Sequence, residues 1–128
     1  MLVADAVGCI ETWLSGVGLV RDQERVTAER LSGEDIVQRA EASEARAAAT
    51  LSRYEDRLTR ALAHVINLLH PDVIVLGGGV SRVERLYRTV PALWDQWVFS
   101  DRVDIKLVPA LHGESSGVRP AAFLCPRV

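Results

Sequence analysis

Apolar residues at Leu51, Tyr54, Leu58, Ala61, Leu62, Val65, Ile66 and Leu69 recur every three or four positions. That spacing lays a stripe along one helical face and predicts a long helix from Glu44 to Leu69. Ser43 stands where a cap would begin it, and Pro71 ends it by disfavouring helical geometry at His70. A shorter helix, from Gly33 to about Glu41, is predicted upstream, with Ser32 as its cap and Asp35 in its first turn. Before that, Arg21 to Leu31 is densely charged and reads as a solvated helix or connector. Cys9 to Leu19 reads as a short helix interrupted at Ser15, Gly16 and Gly18, where a break or a close backbone approach is expected.

The pattern changes after Pro71. Val73-Ile74-Val75-Leu76 is a continuous β-branched run without alternation, which predicts a strand covered on both faces, as in a parallel sheet. Gly77-Gly78-Gly79 closes it. Ser81 is placed to cap a helix reaching about Val98 through Val83, Leu86, Val90, Leu93, Trp94 and Trp97, with Pro91 kinking or splitting it. Val103 to Val108 reads as a second strand that Pro109 ends. His112 to Gly117 is a predicted loop, and Val118 to Leu124 a short closing helix with Pro120 in its first turn. Two strands joined through a helix, with about two dozen residues between them, make a βαβ unit with parallel strands and a right-handed crossover. The expected class is therefore α/β.

Composition narrows this only slightly. The chain has 128 residues, 48% hydrophobic and 25% charged, which suits a single globular domain over residues 1–128. A net charge of -2 gives no reason to expect nucleic-acid or membrane-surface binding. No apolar run is long enough to span a bilayer, and the opening residues carry no signal-peptide pattern, so a cytoplasmic protein is expected. Cys9 and Cys125, at opposite ends, read as free thiols rather than a disulfide, and their spacing offers no metal site.

Candidate chemistry centres on Asp72-Val-Ile-Val-Leu-Gly-Gly-Gly-Val-Ser81. A glycine turn between a buried strand and a helix start lets a ligand approach the backbone, while the helix end offers unpaired N–H groups. Such a turn suits a nucleotide, although the pattern is neither G-x-G-x-x-G nor a Walker A loop. A tight strand-to-helix turn with no ligand accounts for the same residues equally well. Gly8-Cys9-Ile10-Glu11 is a weaker signal that packing and the helix dipole also explain. His64 reads as a surface or boundary residue and His70 as part of a turn. His112 is the best placed of the three histidines, in a loop after a strand end. Trp94, Trp97 and Phe99 read as core or interface area.

Three segments taken together change the picture: Gly8-Cys9-Ile10-Glu11-Thr12, then Asp72 to Ser81, then Gly113-Glu114-Ser115-Ser116-Gly117-Val118-Arg119-Pro120-Ala121-Ala122. In this order and spacing the chain resembles the ROK family (repressors, open reading frames and kinases). Glu11-Thr12, Ser15-Gly16 and His70-Pro71-Asp72 resemble its bacterial fructokinase branch most. The resemblance implies the actin-like, ribonuclease-H-related ATPase fold, of which this chain would form the C-terminal lobe. It also implies an ATP-dependent hexose kinase using magnesium–ATP. Glu11 would correspond to a glutamate that hydrogen-bonds sugar hydroxyls, and Gly77, Gly78 and Gly79 to the adenosine-binding turn. Gly113 to Gly117 would lie near the nucleotide.

Departures from the family pattern carry expectations of their own. The Asp-x-Gly-Gly-Thr phosphate loop, the catalytic aspartate and the Gly-Thr-Gly segment have no counterpart here. Leu2, Ala4 and Asp5 occupy positions where the family's zinc motif has cysteine, cysteine and glycine, so zinc is not expected. Phosphoryl transfer depends on positioning and charge stabilisation around the γ-phosphate, so no kinase activity is expected of the chain alone. Two strands with an open edge make a poor core, so a homo-oligomer, such as a dimer, is expected. Two functions remain open: part of a sugar kinase, or a non-catalytic binding or interaction module that retains the fold. A ROK repressor would need an N-terminal helix-turn-helix that this sequence lacks.

Overall fold

The computed structural model describes residues 10–100 and 103–112, apart from the side chain of Glu11. The predicted closing helix, the segment from Gly113 to Gly117 and the positions around Cys9 lie outside the described residues. The order is α1 (Ile10–Leu14), α2 (Gly16–Thr27), α3 (Gly33–Glu41), α4 (Ala45–Leu69), β1 (Val73–Leu76), a 3₁₀ turn (Gly79–Arg82), α5 (Leu86–Trp94) and β2 (Lys106–Pro109).

The interruption expected near Ser15 is a true helix boundary. The Ser15 hydroxyl accepts the Gly18 N–H at 3.0 Å and caps α2. Gly18 itself is required by a close approach, since a Cβ there would lie 2.5 Å from the Thr12 carbonyl oxygen. The charged segment from Arg21 to Leu31, expected as a solvated helix or connector, continues α2 to Thr27 and is mostly exposed, but Asp22, Gln23 and Leu31 are buried. The two polar ones meet α4: Gln23 accepts a hydrogen bond from Thr50 through its side-chain oxygen, and Asp22 meets Arg53 and Arg57. A pattern read from apolar spacing alone misses such a face.

α3 starts as expected, with the Ser32 hydroxyl accepting from the Asp35 N–H at 3.1 Å. Ser43 does not cap α4. It takes a left-handed conformation (φ 64°) in the turn that ends α3, and Glu44 precedes α4 without a side-chain cap bond. α4 is the central element and packs against α2, α3 and α5. Leu51, Tyr54, Leu58 and Ile66 of its predicted stripe are buried, whereas Val65 and Leu69 face outward. Around them Ile36, Leu86, Val90 and Trp94 complete the core, each side chain contributing roughly 1.5–3 kcal/mol by leaving water. Of the aromatic residues expected in a core or an interface, Trp94 is buried, while Trp97 and Phe99 are exposed.

β1 and β2 pair in parallel with Val73 opposite Lys106 and Leu76 opposite Pro109. Pro109 is thus the last residue of its strand rather than the residue after it. Burial of the strand on both faces does not hold among the described residues. Ile74 and Leu76 pack toward the core, but Val73 and Val75 are 46% and 57% exposed. The helix expected from Ser81 to Val98 is also broken. A 3₁₀ turn is followed by Val83–Arg85, and α5 then begins at Leu86 with Pro91 inside it. Ser81 caps nothing and lies buried within the 3₁₀ turn.

Candidate functional site

The glycine turn leaves the end of β1 and reverses the chain toward α5. Gly78 holds φ 75° and ψ -170°, a conformation open only to glycine. Its shape is held by side chains that follow it. The Ser81 hydroxyl donates to the Gly78 carbonyl at 2.6 Å, and the Tyr87 hydroxyl donates to the Ser81 carbonyl at 2.7 Å. Burial pushes the Tyr87 phenol above its ordinary pKa. Behind the turn, Arg85 grips the buried Glu55 of α4 with two hydrogen bonds of 2.7 and 2.9 Å. The backbone of Gly77 and Gly78 faces open space, with no atom within 4 Å of where a Cβ would be.

Beside this turn lies a cavity of about 940 Å³. α2 contributes Val17 and Val20, α3 contributes Val37 and Gln38, and the turn contributes Gly79 and Val80. Tyr54, in the cavity wall, donates its hydroxyl to the Leu14 carbonyl at 2.8 Å, and burial pushes its phenol well above the usual range. Arg82 and Glu34 approach to 4.0 Å, linking the turn to α3 through an exposed pair worth little in energy. A cavity with a mostly apolar lining that also includes Arg30, Glu34, Gln38, Glu41 and Arg82, beside exposed glycine backbone, can take a ligand that is partly apolar and partly polar.

Of the residues singled out from the sequence, Gly79 lines this cavity, and Gly77 and Gly78 stand exposed just before it. Glu11 falls in the first turn of α1, at the other end of the chain's helical half. His64 is exposed on α4, as expected, and His70 closes that helix in a left-handed conformation with φ 44°. His112 is exposed beyond β2. The contributions of α2 and α3 to the cavity were not anticipated, because Val17 and Leu19 belong to a segment read only as an interrupted short helix, and Val37 and Gln38 to one read only as a capped helix. Among the described residues no cluster of three or more His, Cys, Asp or Glu could hold a metal ion. No described helix is long and apolar enough to cross a membrane.

The same architecture occurs in the crystal structure of a ROK family glucokinase from Streptomyces griseus in complex with glucose and AMPPNP. It superposes with a TM-score of 0.79 at 23% identity, over 94% of this chain and 45% of that one. The fold is therefore a fragment of the actin-like ATPase fold, with a long helix and a small parallel sheet. The sequence profile of the ROK family matches residues 5–128, and the chain belongs to that family. An N-acetyl-D-glucosamine kinase from Photobacterium profundum is 37% identical over 120 residues, covering 94% of this chain and 40% of the relative. Its counterpart in Vibrio atlanticus is 34% identical over 117 residues. The chain thus spans about two fifths of the length of these curated relatives.

Proposed function

We propose that this chain is the C-terminal, nucleotide- and sugar-facing portion of an ATP-dependent ROK hexose kinase, a single domain that cannot catalyse the transfer alone. The observation that carries the proposal is the exposed glycine turn opening at the edge of a large apolar cavity. In this reading the base and ribose of ATP occupy the cavity, with Gly77, Gly78 and Gly79 at their edge. Magnesium enters with the nucleotide, and Glu11 contributes a carboxylate to the sugar hydroxyls.

For the sugar, the names of the relatives support glucose-type hexoses, including N-acetyl-D-glucosamine, and give no support to the narrower fructokinase assignment. Calorimetric titration of the chain with AMPPNP tests the nucleotide half of the proposal. Saturable binding is expected, and it should weaken by about tenfold or more in Val37→Arg, which places a charged side chain in the apolar wall. A folded chain that gives no binding isotherm would overturn it. We further propose that the chain self-associates in solution and acts in the cytoplasm. Light scattering that finds a folded monomer at micromolar concentration would refute the self-association.

A further inference from the structure

Tyr54 belongs to two places at once. Its side chain stands in the wall of the cavity beside the glycine turn, while its hydroxyl donates to the Leu14 carbonyl at 2.8 Å. Leu14 is the last residue of α1, and the closing carbonyls of a helix have no partner within it. The bond spans 40 residues of sequence and joins α4 to the helix that carries Glu11.

α1 has little of its own to hold it. Its 5 residues are too few for a helix to persist in water, so its order comes from what it packs on. Its anchors include the Tyr54 bond, the close approach of Gly18 to the Thr12 and Trp13 backbone, and the partly buried Leu14. The Arg57 guanidinium adds a contact 4.8 Å from the centre of the Trp13 ring. Of these, only the Tyr54 bond comes from a residue that lines the cavity. A ligand shifts a conformational equilibrium only through contacts that differ between its states. Tyr54 supplies such a contact, because a flat group against its ring restrains the ring and with it the hydroxyl that holds α1.

We propose that Tyr54 is a positioning residue between the two ligands of the proposed kinase. A nucleotide base against its ring fixes the hydroxyl, and the fixed hydroxyl orders α1 and so the helix position of Glu11. Because coupling of this kind is reciprocal, whatever steadies α1 also favours the nucleotide. The inference rests on the nucleotide reading of the cavity and adds a route from that cavity to the helix that bears the sugar-directed carboxylate.

The test labels the full chain with fluorotryptophan and follows its 3 tryptophans, Trp13, Trp94 and Trp97, by fluorine NMR during titration with AMPPNP. Trp13→Phe assigns the α1 signal. Trp13 is not among the residues that line the cavity, so its signal reports on α1 rather than on contact with the ligand. The Trp13 resonance should shift along the same saturation curve as the calorimetric heat, while that of Trp97 stays in place. Tyr54→Phe keeps the ring and removes the donor, so affinity should stay within about threefold while the Trp13 shift is lost. A merely structural bond would displace the Trp13 signal in Tyr54→Phe without ligand and leave the wild-type signal unresponsive to AMPPNP. The wild-type titration needs no variant to fold. A binding isotherm with an unmoved Trp13 resonance overturns this inference and leaves the nucleotide reading standing. A shift that persists in Tyr54→Phe, or one shared equally by all three tryptophans, overturns it too. A folded chain with no isotherm overturns the nucleotide reading and this inference together.

Discussion

The carboxylate of Asp22, with a side chain 1% exposed, holds Arg53 at 2.8 Å, Arg25 at 3.1 Å and Arg57 at 3.3 Å. Arg57 and Arg25 also lie over the ring of Trp13, at 4.8 and 5.7 Å from its centroid, so the cluster ties α1 and α2 to α4. Burial pushes the Asp22 carboxyl up, but the hydrogen bond and charge of Arg53, with Arg57 and Arg25, outweigh it and hold the group below its ordinary value of 3.8. A depressed folded-state pKa gives stability that is present above the unfolded value and lost as pH falls through the folded one. Acid titration of stability should therefore steepen below about pH 4, and Asp22→Asn should remove that component. At neutral pH the same variant should lose about 3 kcal/mol in urea unfolding, because the guanidinium groups lose their buried counter-charge. The Glu55–Arg85 pair allows a contrast. Glu55→Ala should cost about 3 kcal/mol, while Glu55→Leu with Arg85→Met should come out near neutral in the same assay. Arg25, three residues from Asp22 on the same helix, is within reach of spacing rules, but Arg53, Arg57 and the Glu55–Arg85 pair are not. They lie thirty or more residues apart, and spacing reveals only neighbours within a few turns of one helix.

At the scale of elements, two serines in similar settings behave differently. Ser32 caps α3, and Ser32→Ala should lower the thermal midpoint by an amount equivalent to about 1 kcal/mol. Ser43 instead adopts φ 64° in the turn after α3, where the Ser43 N–H donates to Ala40 and the Glu44 N–H to Arg39. Glycine meets no Cβ penalty there, so Ser43→Gly should raise stability by about 0.5–1 kcal/mol in denaturant titration. Serine suits both a helix start and a turn, and the choice depends on which chain direction the packing of α3 on α4 permits. The broken helix after the glycine turn has a similar origin. Its residues read as continuous helix as far as Pro91, but Arg85 is drawn to Glu55 and Tyr87 to the Ser81 carbonyl, and the chain uses a 3₁₀ turn to reach both.

For the whole molecule, the proposed site needs α2, α3, α4 and the glycine turn together. The helical half is held by its own core, so nucleotide binding is expected without the rest of a kinase. Turnover is a separate matter. With magnesium–ATP and N-acetyl-D-glucosamine, glucose or fructose, the chain alone should form no sugar phosphate above a blank in a coupled assay. Measurable turnover would show that the groups needed for transfer are present after all. The turn was legible because three glycines after an apolar run are a local signal. The cavity beside it was not, since its walls come from helices far apart in the chain.

What the sequence by itself determined is local or carried by motif. The stripe of α4, the Ser32 cap, the break at Ser15, the strand before the glycines and the family resemblance all follow from residues close to one another or in a set order. Tertiary structure alone decided the fate of groups whose energy depends on distant partners. Asp22 and Gln23 are buried because α4 pairs with them, and Ser81 is turned inward by the carbonyl of Gly78. Val73 and Val75 carry the composition of a covered strand, yet their exposure depends on what lies beside the sheet, and no stretch of four residues encodes that.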